Sequence, residues 1–324
     1  MANPSVLIRV PATVGNFGGA ANCAALALDA PLNVKVTPRL DGHAGIRYFG
    51  VNGERVPRDR SNLVVRAMEA ALHLKQLEFT GADFEIYSSV PVGVGLGSSS
   101  AAVLAGLLAA DRLFRLRLDE KTLFDLAAIY ESRQDNLRAA WLGGFVACAE
   151  DGEGRSLQRT VVPENFVLHV VTPEARLGAR EEPSRKQPGA GDAQAHAGRA
   201  RALAEFFRRA GDGKALRLEE PLPPTVEKSV PGLKEALKVR VEGTLAVFAC
   251  GSGPAVGVLA QGDDARTIEC VRKCFEKKGL AVSVDEYRPT NAGARDWNAL
   301  QPDISLPPLR GLGASLHKSS LSQV

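Results

Sequence analysis

The chain has 324 residues, 45% hydrophobic and 24% charged, with a formal net charge of +3. That length suits two domains, each able to bury a core, and the composition is that of a soluble globular protein. The small positive charge is dispersed along the chain, so it argues against a nucleic-acid-binding face while suiting an anionic small ligand. No apolar run reaches the length of a membrane span, and the first residues lack the basic and apolar regions of a leader peptide. Five cysteines without paired spacing predict reduced thiols and a cytoplasmic location. Cys270 and Cys274 lie one turn apart on a predicted helix. They lack two further ligands nearby and read as small buried hydrophobes.

Residues 5–10 and 24–36 read as strands with a glycine-rich loop between them, and 45–49 as a third, short strand. A helix is predicted over 61–75, where Ser61 gives a start signal and Leu63, Ala67, Ala70, Ala71 and Leu74 fall at helical spacing. Residues 82–88 alternate like a half-buried strand. A glycine-serine loop at 91–100 leads into an alanine- and leucine-rich helix over 100–115, followed by a helix over about 119–131. A strand is expected at 143–149, and the charged, glycine-containing stretch 150–160 reads as the domain boundary. Further strands fall at 166–172, 244–250, 254–260 and 281–287, with helices near 194–210, 231–238 and 263–278. The polar segment 178–195 reads as a long loop, and the tail from 302 as flexible. The resulting division is 1–155, 156–301 and a tail of 302–324.

The segment that carries chemistry is Pro91-Val92-Gly93-Val94-Gly95-Leu96-Gly97-Ser98-Ser99-Ser100, between a strand and a long helix. Its glycines permit positive φ and let a ligand approach the main chain. The helix that follows offers free N–H groups and a positive dipole end to an anion. The serines add hydroxyl donors and a Mg²⁺ ligand. A polyphosphate cradle is therefore expected, against the plainer reading of a glycine turn with a serine cap. No Gly-Lys-Ser/Thr follows, and the spacing is not GxGxxG, so the loop is neither a Walker A loop nor a dinucleotide fingerprint. A hydrolase built on Ser98 or Ser99 is disfavoured, since all five histidines lie outside any motif.

This loop resembles the P-x₃-G-L-G-S-S-x-A-A phosphate motif of GHMP kinases. Pro11-Ala12-Thr13-Val14-Gly15-Asn16-Phe17-Gly18-Gly19 resembles that family's first motif, in the form found in homoserine kinases. Gly251-Ser252-Gly253-Pro254 resembles the third. Glu131-Ser132-Arg133-Gln134-Asp135-Asn136, followed by Leu142-Gly143-Gly144-Phe145, is similar to the E-G-H-P-D-N … L-G-G-F stretch of homoserine kinases. Asn291-Ala292-Gly293-Ala294 is similar to their end. The resemblance implies an α+β, two-domain GHMP kinase fold: a ribosomal protein S5 domain 2-like N-terminal domain and a ferredoxin-like C-terminal domain. It implies ATP and Mg²⁺ as cofactors and phosphorylation of L-homoserine to O-phospho-L-homoserine, a step of threonine biosynthesis. Relatives are often dimers, so a homodimer is compatible with it.

Residue by residue, the resemblance places ATP on Pro91, Gly93, Gly95, Leu96, Gly97, Ser98, Ser99 and Ser100, with Gly251, Ser252 and Gly253 closing over the phosphates. The plain alternative for the last three is a hairpin turn. Asn62 matches an asparagine near the nucleotide, and otherwise reads as an ordinary helix start. Ser99 and Asp125 are the implied Mg²⁺ ligands, Asp125 by its spacing from Asn136; a solvated helix carboxylate is the alternative reading of Asp125. Asn136 stands where other family members carry a catalytic Asp. An amide cannot act as a base, so the implied chemistry is attack by an oriented alcohol. Asn16, Asn22, Arg133, Asn136 and Arg185 are the implied acceptor contacts. Arg185 reads equally as a solvated loop charge.

The acceptor positions depart from the family. Asn22 replaces the Asp expected to meet a substrate amine. Arg133 replaces a histidine, and Val226 stands where an arginine for the substrate carboxylate is expected. Two further readings therefore stand beside homoserine: a different small alcohol, and a catalytically inactive ATP-binding regulator.

Overall fold

The computed structural model describes residues 5–15, 20, 22–151, 154–174, 190–209, 230–251 and 253–299. The expected tail from 302 and most of the 178–195 segment lie outside them.

Strand β1 (Val6–Gly15) runs antiparallel to the long strand β2 (Ala24–Pro38). β1 continues past its expected end at residue 10. Its register against β2 slips between Pro11 and Ala12, where Pro11 faces Pro31. Two prolines bring no N–H to the ladder, so an irregularity falls there and the pairing resumes beyond it. β3 (Ala44–Gly50) follows, then helix α1 (Leu63–Leu74) and β4 (Ala82–Ser88). Asn62 caps α1 by accepting from Val64 N at 2.9 Å.

Next come α2 (Ser98–Phe114), α3 (Glu120–Tyr130) and α4 (Gln134–Leu142). Asp119 caps α3 through Thr122 N. α4 is a helix that the apolar periodicity did not reveal. Its first turn buries Asp135 and Asn136, polar residues where a core-facing pattern would place apolar ones.

β5 (Phe145–Asp151) and β6 (Gly154–Thr160) form an antiparallel pair. The stretch 150–160, expected as a boundary, therefore contains a strand of the first sheet. That sheet runs β3-β4-β2-β5-β6 with β1 on β2, all antiparallel except the parallel β3–β4 pair.

The second sheet is built from β7 (Phe166–Pro173), β8 (Ala246–Ala249), β9 (Val256–Gln261) and β10 (Val282–Tyr287), in the order β10-β7-β9-β8 and fully antiparallel. Its helices are α5 (Ala190–Arg208), α6 (Leu233–Leu237) and α7 (Ala265–Glu276), and the short helix α8 (Ala294–Ala299) ends the described chain. No helix among the described residues is long and apolar enough to cross a membrane.

The long strands β1 and β2 pass through two cores. Ile8, Val10, Val34 and Val36 pack with Met68, Leu72, Leu104 and Leu107 of the α1–α2 layer. Further along the same strands, Val14, Leu26 and Leu28 join Phe145, Phe166, Leu168, Phe248 and Phe207 in a second cluster. Phe207 of α5 ties that cluster together, with ring centroids 4.8 Å from Phe145 and 5.5 Å from Phe166. The two sheets thus share one interior. A third cluster covers the far face of the second sheet, where Val171, Val256 and Val258 meet Leu233, Val271 and Phe275.

Candidate active site

Three loops from distant parts of the sequence meet backbone to backbone. Thr13 N, near the end of β1, donates to Leu96 O at 3.2 Å, and Gly251 N donates to Gly15 O at 3.0 Å. Gly95 has φ +96°, and a Cβ there would fall on the carbonyl oxygen of Cys250. A Cβ on Gly253 would fall in turn on the carbonyl of Val94. Leu96 and Val94 are buried beneath this junction. The glycine-serine loop at 91–97 is therefore clamped between the β1 end and the 250–253 loop, so the three motifs become one surface.

That surface opens onto the start of α2. Its N-cap is Gly97, in a left-handed conformation, which has no side chain to cap the first-turn N–H groups. The long helices α1, α3 and α7 are each closed by an Asn or Asp side chain. The open N–H groups and helix dipole of α2 favour an anion beside Ser98, Ser99 and Ser100. Thr13 packs against Gly97, and its buried Oγ1 has no hydrogen-bond partner. Arg55, in a short 3₁₀ turn at Gly53–Arg55, reaches the other side of the loop: its Nη1 lies 3.0 Å from the point a Cβ on Gly93 would occupy. Pattern reading missed Arg55, because a single arginine in a turn carries no signal of the loop it faces.

The carboxylate at the helix start is Glu131, not Asp125. Ser99 Oγ and Ser100 Oγ both donate to Glu131 Oε2, at 2.6 and 2.9 Å. Glu131 is the C-cap of α3 and is buried, and its Oε1 accepts from Arg133 N at 2.9 Å. Asp125 lies on the opposite face of α3 from the buried Leu123, Phe124, Leu126 and Ala127. It bonds Lys121 Nζ at 2.7 Å and holds that ammonium above its ordinary pKa. The spacing that pointed to Asp125 assumed a longer connection before Asn136. α3 ends at Tyr130 and α4 begins at Gln134, so the acid comes from the cap between them. One carboxylate with serine hydroxyls is an all-oxygen set that suits Mg²⁺, which takes few protein ligands alongside substrate phosphates. Among the described residues no cluster of three or more His, Cys, Asp or Glu forms a fuller metal cage.

α4 supplies the next part of the surface. Asn136 is buried and its Oδ1 lacks a partner, while its N–H donates to Asp135 Oδ1 at 2.9 Å. Arg133 Nε stands 3.5 Å from Asp135 Oδ1, and its Nε and Nη2 are buried without hydrogen bonds. These groups gather at Gly15, two residues beyond Thr13 on β1.

Two further expected site residues are described. Asn62 caps α1, its Oδ1 accepting from Val64 N and its Nδ2 donating to Pro57 O, both at 2.9 Å. Asn22 is exposed in a left-handed turn, with φ 57°. Asn16, Arg185 and Ser252 lie outside the described residues.

A glycine-rich loop, a helix start capped by no side chain of its N-cap residue and a serine–glutamate pair on a two-sheet α+β scaffold are the arrangement of an ATP-dependent phosphotransferase of the GHMP type. Residues 62–144 match the GHMP kinases N terminal domain. A homoserine kinase of Streptomyces coelicolor is 34% identical over 293 residues, which is 84% of this chain and 91% of that protein. Among solved structures, homoserine kinase from Cytophaga hutchinsonii superposes with a TM-score of 0.69 at 22% identity, over 89% of this chain and 96% of that one. Lactococcus lactis galactokinase, complexed with galactose, gives 0.62 at 13% identity, over 90% and 95%; these two likenesses establish the fold. The chain belongs to the homoserine kinase family.

Proposed function

We propose that the protein transfers the γ-phosphoryl group of ATP to the hydroxyl of L-homoserine, giving O-phospho-L-homoserine in the cytoplasm as a step towards threonine. The observation that carries the phosphoryl-transfer part is the Ser99–Glu131 bond at the uncapped start of α2. Family membership supports the acceptor.

The phosphates lie along the 93–97 loop, held by the N–H groups at the start of α2 and approached by Ser98 and by Gly251 and Gly253. Ser99 and Glu131 would hold Mg²⁺, which would supply neutralisation of phosphate charge. Arg55 lies near enough to the loop to add a further positive charge. The acceptor hydroxyl sits between Thr13 and Asn136. Asn136 Oδ1, buried and without a partner, orients the hydroxyl by accepting its hydrogen bond. An amide takes up no proton near neutral pH, so the proton passes to solvent or to the phosphate. Rate enhancement then comes from positioning and charge stabilisation, as phosphoryl transfer requires. Asn16, Arg133 and Arg185 are further proposed acceptor contacts. The five cysteines fit a reducing cytosol.

A second reading, a different small alcohol, draws on the absence of an acid at Asn22 and of an arginine at Val226. The deciding experiment is ADP release with Mg·ATP against L-homoserine, L-threonine, mevalonate, galactose and a hydroxy acid lacking the amine. Turnover with L-homoserine well above the rest is expected. Turnover with another acceptor alone would replace homoserine, and ATP binding without ADP release under every acceptor would leave a regulator.

A further inference from the structure

We propose that Cys23 and Cys148 are a redox pair: under oxidising conditions they join as a reversible disulfide between the start of β2 and the middle of β5, and the bond resets the turn that leads into β2. The bond itself is independent of the proposed reaction. Its effect on the acceptor rests on that reading.

The two cysteines are remote in sequence and are brought opposite each other by the first sheet. β2 pairs with β5 so that Ala24 faces Ala147 and Ala25 faces Val146. The next pair outward in that antiparallel register is Cys23 with Cys148, and Cys148 N donates to Cys23 O at 2.6 Å. Residues opposed in this way have Cα atoms about 5.5 Å apart, and disulfides span Cα separations of roughly 4.4–6.8 Å. Neither residue is in a disulfide here, and both are half-buried. Cys250 is fully buried. Cys270 and Cys274 share one helix, where burial pushes the Cys274 thiol up and away from the reactive thiolate.

The pair is held apart by a local turn. The N–H groups of Cys23 and Ala24 both donate to Ala20 O, at 3.0 and 3.2 Å, and Asn22 has φ 57°. The Cys23 N–H thus goes to Ala20, and only the Cys148 half of the paired exchange with Cys23 is made. Cys23 packs against the cluster between the sheets, whereas Cys148 packs against Ala25, Val146 and the α4 residues Ala139 and Leu142. Strand alternation would put Cys23 on the face of Ala25 and Val146, beside Cys148. Extending β2 by one residue therefore brings the thiols together, and it costs the hydrogen bonds at Ala20 O.

These are two discrete arrangements of one segment. A bridge that displaces a native turn is strained. Opposed Cβ atoms on paired strands also stand about 4.5–5.5 Å apart, wider than the ~3.8 Å of a relaxed disulfide. Strained disulfides are the more easily reduced ones, so a reducing cytosol holds this pair open. The oxidant is a low-molecular-weight disulfide such as oxidised glutathione. One protein thiolate attacks it, releasing one glutathione and forming a mixed disulfide. The second protein thiolate attacks the protein sulfur of that bond, forming the Cys23–Cys148 bond and releasing the second glutathione. The two protein thiols give up two protons and two electrons, and the oxidant takes them up as two thiols.

The turn closes the connection from β1 to β2, which includes Asn16, a proposed acceptor contact. The bonds that seat the phosphate loop, Thr13 N to Leu96 O and Gly251 N to Gly15 O, precede that connection on β1. Oxidation should therefore weaken the acceptor and spare the nucleotide.

The test equilibrates the full chain in mixtures of oxidised and reduced glutathione, alkylates the remaining thiols and maps disulfides by mass spectrometry. A Cys23–Cys148 bridge reversed by dithiothreitol is expected. In the bridged protein KM for L-homoserine should rise about tenfold or more, with the calorimetric affinity for a non-hydrolysable ATP analogue within about twofold of the reduced protein. Cys148→Ser should keep the kinetics of the reduced protein and lose the response to oxidant. Cys23→Ser should do the same; should it disturb the turn, Cys148→Ser, on a regular strand, decides alone. Mixed disulfides without a bridge, a bridge in another pairing, or no oxidation at all would overturn the pair. A bridge with unchanged KM would overturn its coupling to the acceptor. Should no acceptor be phosphorylated, the kinase reading fails, and the disulfide map still decides whether the pair exists.

Discussion

Glu131 and Asp125 belong to one stretch of chain and have opposite surroundings. Glu131 is buried and accepts two serine hydroxyls at the start of α2, whereas the Asp125 side chain is 66% exposed and pairs with Lys121. A hard divalent ion needs a carboxylate that other groups already orient toward the phosphates. Glu131→Gln should therefore lower kcat by about 10²-fold or more and weaken the dependence on Mg²⁺. Asp125→Asn should leave kcat within about twofold, since an exposed one-turn ion pair contributes little. Steady-state rates across a Mg²⁺ titration separate the two, and a large loss in Asp125→Asn with none in Glu131→Gln would restore the assignment by spacing. Sequence placed the serines in the loop at 91–100, whereas α2 begins at Ser98 and takes all three into its first turn. The sequence could not tell which nearby acid faces them, because that depends on where α3 ends.

At the scale of elements, the site is a junction of loops. The glycines of the 93–97 segment were expected to make room for a ligand. At Gly95 the room is taken by the chain itself, because a side chain would strike the carbonyl of Cys250. Backbone on both sides cannot yield as a flexible side chain can. Gly95→Ala should thus lower folding stability by about 2–3 kcal/mol through the clash and the unfavourable φ together, and weaken the ATP analogue at the same time. Urea unfolding and calorimetry on one preparation would check this. Lost nucleotide binding at unchanged stability would mean that Gly95 serves the ligand alone. α4 belongs to the same scale. Its C-terminal carbonyls at Leu142 and Gly143 are met by Arg159 Nε of β6 at 3.0 and 3.1 Å, so a strand in the stretch expected as the domain boundary closes the helix that carries Asp135 and Asn136 and is capped by Arg133.

At the scale of the whole molecule, the two sheets do not stand as separate bodies with separate interiors. Phe145 of the first sheet and Phe166 and Phe248 of the second share a cluster with Phe207 of α5. The last described residues reinforce this. Asn291 exchanges two hydrogen bonds with the backbone of Val162, between the sheets, and Asn298 does the same with Arg9 on β1, where Trp297 stacks under the Arg9 guanidinium at 4.2 Å. α8 thereby covers backbone groups of β1 that no strand pairs. Urea unfolding followed by tryptophan fluorescence and by far-ultraviolet circular dichroism should show one coincident transition. Two resolved transitions would mean that the halves fold independently despite the shared core.

Through motifs that resemble those of GHMP kinases, the sequence by itself pointed to the kinase class and the two-sheet α+β plan, and it placed a strand, a glycine-serine loop and a helix in that order. The motifs and the local elements are written in short stretches of chain, in glycine and serine spacing and in apolar periodicity. The partner of Ser99, the capping role of Asn62, the strand at 154–160 and the gathering of Arg133, Asp135 and Asn136 at Gly15 were decided only by tertiary structure. Those features depend on which residues from distant segments come within a few ångströms of one another, and that is set by how the chain packs rather than by the order of its residues along a strand or helix.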